Sequence, residues 1–219
     1  MLIHLATQLE MCHREFKKKE AREENMVAPQ HKTSSPERIR IAAKDLFATK
    51  GFHQTSMAEL AAAADMSVGL IYRSFKSKGE IIEAIVRADF EEKIAELDEL
   101  RGRLESGKLT VLETFTELFL QVIDTKEEAL SFDIIAEGYR NDRVGQTIGE
   151  MCGQFRDYLG KFARAANPTL QGDDLAGATE LLLGCLFGLG HRSISAPRLD
   201  AVRTAESSAR MIVAALKDG

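Results

Sequence analysis

Apolar residues recur along most of this chain at helical spacing, and nowhere do they alternate as in a strand. Ile39, Ala42, Ala43, Leu46 and Phe47 fall at i, i+3, i+4, i+7 and i+8, which places them on one helical face. Ser35-Pro36 in front of them reads as an N-cap with proline at the first helical position, where its missing N–H costs nothing. Gly51 behind them reads as a left-handed terminator. Ser56-Met57-Ala58-Glu59 is a capping box that opens a second helix, with Leu60, Ala61 and Ala64 turned inward. Asp65-Met66 forms a short turn, and Ser67 caps a third helix that carries Ile71 and Phe75 at i and i+4. A further box, Ser77-Lys78-Gly79-Glu80, opens a long fourth helix reaching about Leu104. Beyond it the pattern predicts helices at about 110–124, 127–140, 143–166, 173–195 and 199–217. The expected fold class is all-α.

Composition agrees. Of 219 residues 44% are apolar, enough for a sizeable core, and four prolines with 16 glycines favour helix over strand. The longest apolar run, Leu181 to Gly190, is about half the length a bilayer span needs, so no membrane partner is expected. Met1 to Leu9 lacks the basic and continuous apolar regions of a secretory signal. Cys12, Cys152 and Cys185 are odd in number and lack ligand spacing, so they read as small hydrophobes in a reducing, cytoplasmic setting, with no metal and no cofactor.

Charge divides the chain more usefully than its net of −5. Residues 1–34 carry 6 basic and 5 acidic side chains, residues 35–85 carry 7 and 6, and residues 86–219 carry 16 and 23. The expected organisation is a tail over 1–34, a small domain over 35–85 and a larger acidic domain over 86–219. Within the tail, Leu2, Leu5, Leu9, Cys12 and Phe16 suit one helical face. Glu23-Glu24-Asn25 precedes Met26 in a way that suggests an internal start, because Glu-Glu codons resemble a ribosome-binding sequence.

Two short helices with a tight turn between them form a helix-turn-helix, in which the second helix enters the DNA major groove and the first crosses the backbone. The residues suit that task. Gly69 permits close approach, and Leu70 suits a thymine methyl. Arg73 reads guanine or binds phosphate, while Tyr72 and Lys78 offer a hydroxyl and a charge to phosphate. The run Thr55-Ser56-Met57-Ala58-Glu59-Leu60-Ala61 through Ala64-Asp65-Met66-Ser67, then Gly69, Ile71-Tyr72, Phe75 and Lys78, resembles the DNA-binding domain of the TetR family. Phe47 and Gly51-Phe52 fit the same pattern, and the resemblance covers about Ser35 to Asp89. It implies a transcriptional regulator, most often a repressor, that binds double-stranded operator DNA as a homodimer. It also implies phosphate contacts from Thr55, Ser56, Tyr72 and Lys78, and base contacts from Val68 to Arg73 behind the Ser67 cap. Asp65 departs from the family's usual turn glycine, at a small expected cost, since Asp tolerates the left-handed region. Leu70 departs from a commonly small or polar residue, so the operator cannot be borrowed from relatives.

Such regulators carry a helical domain that dimerises and binds a small effector. Gly177, Leu181, Gly184 and Gly188 form a stripe that suggests close helix approach, because glycine inside a helix costs roughly 1 kcal/mol relative to alanine. Val202, Ala205, Ala209, Ile212 and Leu216 repeat on the last helix, and both stripes together predict a four-helix dimer interface. Phe115, Phe119, Phe132, Ile135, Tyr139, Met151, Phe155 and Phe162 are the candidate lining of a pocket for a hydrophobic or aromatic effector, although residues of this kind are most often plain core.

An enzyme is the rival from another class. A di-iron bundle needs paired Glu-x-x-His motifs, and the single instance runs from Glu10 to His13, in the tail. No phosphate-binding glycine loop or nucleophile elbow is present. A DNA-binding protein without an effector is the second rival and shares every N-terminal feature.

Overall fold

A computed structural model of the chain describes residues 34–123 and 128–218. Glu10, His13, Met26 and the apolar positions Leu2 to Phe16 lie outside the described residues.

The described residues are helical, with no strand among them: α1 (Ser35–Lys50), α2 (Met57–Ala63), α3 (Val68–Ser74), α4 (Lys78–Glu105), α5 (Val111–Leu120), α6 (Glu128–Gly138), α7 (Asp142–Ala166), α8 (Gly172–Gly190), a single 3₁₀ turn (Arg192–Ser195) and α9 (Ala201–Asp218). Capping side chains set most of the starts. Ser56 and Glu59 form the reciprocal box that opens α2, and Thr110 and Glu113 form another that opens α5. Two caps differ from expectation. Ser34, not Ser35, caps α1 by accepting from the Glu37 N–H, so Ser35 and Pro36 are already helical. At α4, Ser77 accepts from the Glu80 N–H as expected, but the Glu80 carboxylate accepts from Lys76 N–H at 2.6 Å rather than from Ser77. Gly51 ends α1 with φ +87°, but its ψ of 151° takes it out of the left-handed helical region into an extended exit.

Two apolar cores organise these helices. Ile39, Phe47, Phe52, Leu60, Ile71 and Phe75 form the first, and Ile81, Ile82 and Ile85 of α4 close it from below. The second joins Leu97 and Leu100 of α4 to α5, α7, α8 and α9, with Phe115, Phe119, Leu159, Phe162 and Leu182 at its centre. The 28 residues of α4 therefore serve both cores, over a length of about 42 Å. The boundary expected at 85/86 falls inside this unbroken helix. Leu130 of α6 and Val144 of α7 also enter the first core, so the larger part of the chain completes the smaller.

Asp65 occupies the turn between α2 and α3 at φ +53°, in the left-handed region. Arg38 of α1 steadies this turn, its Nη2 donating to the carbonyls of Ala64 at 2.6 Å and Asp65 at 3.0 Å. Asp65→Gly is expected to leave stability unchanged or raise it slightly, because glycine takes positive φ freely and the Asp65 carboxylate is fully exposed. Asp65→Val should cost about 1–2 kcal/mol. Urea unfolding of the two variants beside the parent checks both values.

Candidate nucleic-acid interface

α3 is held on one side only. Ile71 is fully buried and Phe75 nearly so, both in the first core, while Val68 is 44% and Tyr72 46% exposed. Gly69 and Arg73 are exposed with them, and a methyl group built at Gly69 would meet nothing within 4 Å. Ser67 starts the helix by accepting from Leu70 N–H at 3.2 Å. The result is an apolar, glycine-thinned face with one arginine, presented outward by a helix that buries its other side. Leu70 departs from the sequence expectation, being half-buried, so only part of its side chain is open to a partner.

α2 carries the second element. Ser56 both accepts from Glu59 N–H and donates its hydroxyl to the Glu59 carboxylate. Lys50 salt-bridges the same carboxylate, and these contacts, the Lys50 bond foremost, hold its pKa down at about 2. Glu59 thus stays ionised at working pH and neutralises Lys50.

Thr55 requires correction. Its side chain is 1% exposed and its hydroxyl donates to the Gly51 carbonyl at 2.9 Å. The expected phosphate contact through that hydroxyl gives way to a structural role, because the loop before α2 turns Thr55 inward to satisfy its own backbone. Lys78 is likewise engaged at home. Its Nζ donates to the carbonyls of Phe52 at 2.6 Å and His53 at 3.2 Å and lies 4.6 Å from the centre of the Phe52 ring. Burial, opposed by the nearby Glu137 carboxylate, pushes the ammonium below the usual lysine range. Lys78 fastens the loop from within the head.

Sequence reading missed two features of this surface. Arg38 clamps the turn, and no local motif marks a residue 26 positions away. Asp133 of α6 accepts the Phe52 N–H at 2.8 Å, a bond between parts of the chain 81 residues apart.

The C-terminal helices sort their candidates differently. Phe115, Phe119 and Phe162 are fully buried core, and Met151 is buried. Phe155 is partly buried and meets Phe90 edge-on at 5.2 Å. Ile135 is half-buried, whereas Phe132 is exposed and lies 4.6 Å from the His191 ring. Tyr139 is 90% exposed beyond the end of α6 and lines no interior. The α9 stripe is also corrected. Ala205, Ala209, Ile212 and Leu216 are buried and Val202 half-buried, packed within the subunit on the second core, because α9 needs that stripe to hold itself against α5. The α8 stripe behaves otherwise: Leu181 is 52% exposed, and methyl groups built at Gly177, Gly184 or Gly188 meet nothing within 4 Å. Phe187 of α8 and Met211 of α9 are exposed as well.

No helix among the described residues is long and apolar enough to cross a membrane, and none of their His, Cys, Asp or Glu side chains gather in threes to hold a metal.

Residues 39–85, which hold α2, α3 and the start of α4, match the family described as bacterial regulatory proteins, tetR family. The chain is 33% identical over 117 residues to the HTH-type transcriptional regulator UidR of Escherichia coli strain K12, a stretch that is 52% of this chain and 58% of that one. It is 27% identical over 124 residues to the HTH-type transcriptional regulator YfiR of Bacillus subtilis, again 60% of that protein's length. Among solved structures, Salmonella enterica GusR superposes with a TM-score of 0.67 at 27% identity, covering 87% of this chain and 98% of that one. A Saccharomonospora viridis transcriptional regulator in complex with choline (TM-score 0.66, 16% identity, 82% and 97% covered) and Bacillus subtilis FadR in complex with stearoyl-CoA (0.60, 20%, 80% and 96%) share the fold. Residues 39–85 thus carry the helix-turn-helix of the tetR family of bacterial regulatory proteins, and the helices behind it share the fold of these solved regulators.

Proposed function

We propose that this protein is a cytoplasmic, homodimeric transcriptional repressor that binds a palindromic DNA operator and releases it when a small hydrophobic or aromatic effector binds. One observation carries the reading: α3 buries Ile71 and turns Val68, Gly69, Tyr72 and Arg73 outward together. A face of that composition, on a helix anchored from behind, fits the major groove. Arg73 is the base or phosphate reader, Tyr72 a phosphate contact, and Ser56 and Ser67 flank them at the helix starts. Thr55 and Lys78 serve the same surface by fixing the loop that precedes α2.

The dimer reading rests on α8. Its exposed stripe of Gly177, Leu181, Gly184 and Gly188 has room for a second backbone, and Phe187 and Met211 extend the apolar surface. A two-fold pairing there makes the contact self-complementary and sets two heads on one duplex, with half-sites about 34–36 Å apart or a multiple. The effector reading draws on folds of this kind that hold choline and stearoyl-CoA. Met151, Phe155 and Ile135 are its nearest candidates here, with Phe115, Phe119 and Phe162 as the wall behind. Effector release follows if the ligand favours a head spacing that the operator does not.

Footprinting upstream of the protein's own gene is expected to show a protected palindrome. Because the protein leaves open space at Gly69, Gly69→Leu should fold with equal or slightly higher stability yet lose at least tenfold in operator affinity, as about 1.4 kcal/mol of lost contact requires. Retained affinity in that variant would mean that no DNA approaches α3. Arg73→Ala should relax specificity at one base pair by about 1–3 kcal/mol. A loss spread evenly over all sequences instead assigns it to phosphate. Leu181→Asp should shift sedimentation from dimer to monomer while leaving the helical content intact; an unchanged dimer mass would move the interface away from α8.

A further inference from the structure

α6 makes contacts in two directions within one turn. Asp133 accepts the Phe52 N–H at 2.8 Å, in the loop that leads into α2. Leu130 sits fully buried in the first core, and Ile134 packs against it, so residues 130, 133 and 134 share the face turned toward the head. Residues two apart on a helix point about 200° from one another. Ser131 accordingly faces elsewhere: its hydroxyl lies 2.9 Å from His191 Nε2, and the neighbouring Phe132 ring lies 4.6 Å from the same imidazole.

His191 is the residue on which α8 ends, and its Nδ1 lies 2.8 Å from the Phe187 carbonyl. A carbonyl only accepts, so Nδ1 carries the proton and the neutral ring's Nε2 accepts from Ser131. Beside it the backbone is tight, since a methyl group at Gly190 would sit 3.4 Å from the Val122 carbonyl. His191 is thus fixed by its own helix at one nitrogen and by α6 at the other. The same helix α8 carries the open stripe assigned above to the subunit interface.

The loop is held from the head by Lys78 and from the far side by Arg140. Lys78 takes the Phe52 and His53 carbonyls, and Arg140, just past α6, lies 3.3 Å from His53 Nε2. With Asp133 on the Phe52 N–H, both backbone polar groups of Phe52 are held by side chains, one of them from α6. A displacement of α6 therefore pulls on the loop through a directional bond as well as through packing.

We propose that α6 is a coupling element whose Ser131 and Asp133 tie the C-terminal end of α8 to the loop before α2, so that a change at His191 is felt at the head. Asp133 is a positioning residue for DNA reading. The proposal rests on the regulator reading, but its signal is read in the protein alone, without DNA or effector.

The experiment is amide hydrogen exchange on the full-length protein, comparing the parent with Asp133→Ala, Ser131→Ala and His191→Ala. Asp133→Ala should speed exchange of the Phe52 amide by roughly fivefold or more, the loss of one hydrogen bond to a charged acceptor. Ser131→Ala and His191→Ala, which touch nothing in the head, should also speed exchange in the 51–55 peptide by at least about twofold. Adding either to Asp133→Ala should bring no further change there. Peptides from α5, which makes none of these contacts, should exchange as in the parent. If Ser131→Ala and His191→Ala alter only peptides of α6 and the end of α8, the coupling is overturned. Ser131→Ala removes one hydroxyl at a half-buried site and keeps the test alive if His191→Ala unfolds the end of α8. Exchange coupling without any operator footprint would retire the repressor reading and leave the coupling standing; a footprint without coupling would do the reverse.

Discussion

A seven-residue helix does not persist in water by itself, and the outward face proposed to enter the DNA groove stands on one. α3 survives because Ile71 and Phe75 are inserted into a core built by α1, α2 and α4, and because Ser67 satisfies an N–H at its start. That division of labour explains why the exposed positions can be so poor in self-stabilising contacts. Gly69 weakens the helix and Val68 sits exposed on it, both tolerable only when burial on the opposite side sets the backbone. The turn before α3 is subject to the same demand, and Arg38 meets it by reaching two carbonyls that the left-handed Asp65 leaves pointing outward.

The head is not an independent body placed on a second one. α4 contributes Ile81, Ile82 and Ile85 to one core and Leu97 and Leu100 to the other, so the cores share a rigid axis. Polar contacts reinforce this. Arg143 of α7 reaches Glu83 at 3.0 Å and Glu80 at 3.2 Å on α4. Glu83 is 7% exposed, and a carboxylate that deep is tolerated only with a partner at hydrogen-bonding distance. With α6 feeding Leu130 into the head, a change of packing in the larger part has several routes to the outward face of α3.

Chemical similarity between apolar stripes conceals opposite roles. α8 and α9 both repeat small and aliphatic residues at near-heptad spacing. In α9 that stripe is the internal face, and its strong segregation from the charged side is that of a helix lying on its own subunit's core. In α8 the core is served by Thr179, Leu182, Leu183 and Leu186, and the glycine stripe is left over on the outside. That leftover surface is the one proposed above to meet a second copy.

Local signals in the sequence were sufficient for the helices. Ser56-x-x-Glu59 and Ser67 placed α2 and α3, and apolar spacing placed α5 to α9 within a few residues except the end of α8, expected at 195 and found at Gly190, because capping and periodicity act over one to four positions. The outward residues of α3 were legible for the same reason: burying Ile71 and Phe75 on a helix fixes which neighbours face away. Long-range bonds were not legible. That Lys78 is held by two carbonyls, that Arg38 clamps the turn and that Asp133 accepts the Phe52 N–H all depend on groups brought near by the fold from 25 to 81 residues away. Sequence spacing also left open which of two equivalent stripes is internal. Each helix carries its own periodicity, but only the arrangement of all of them decides which face meets a neighbour and which remains for a partner.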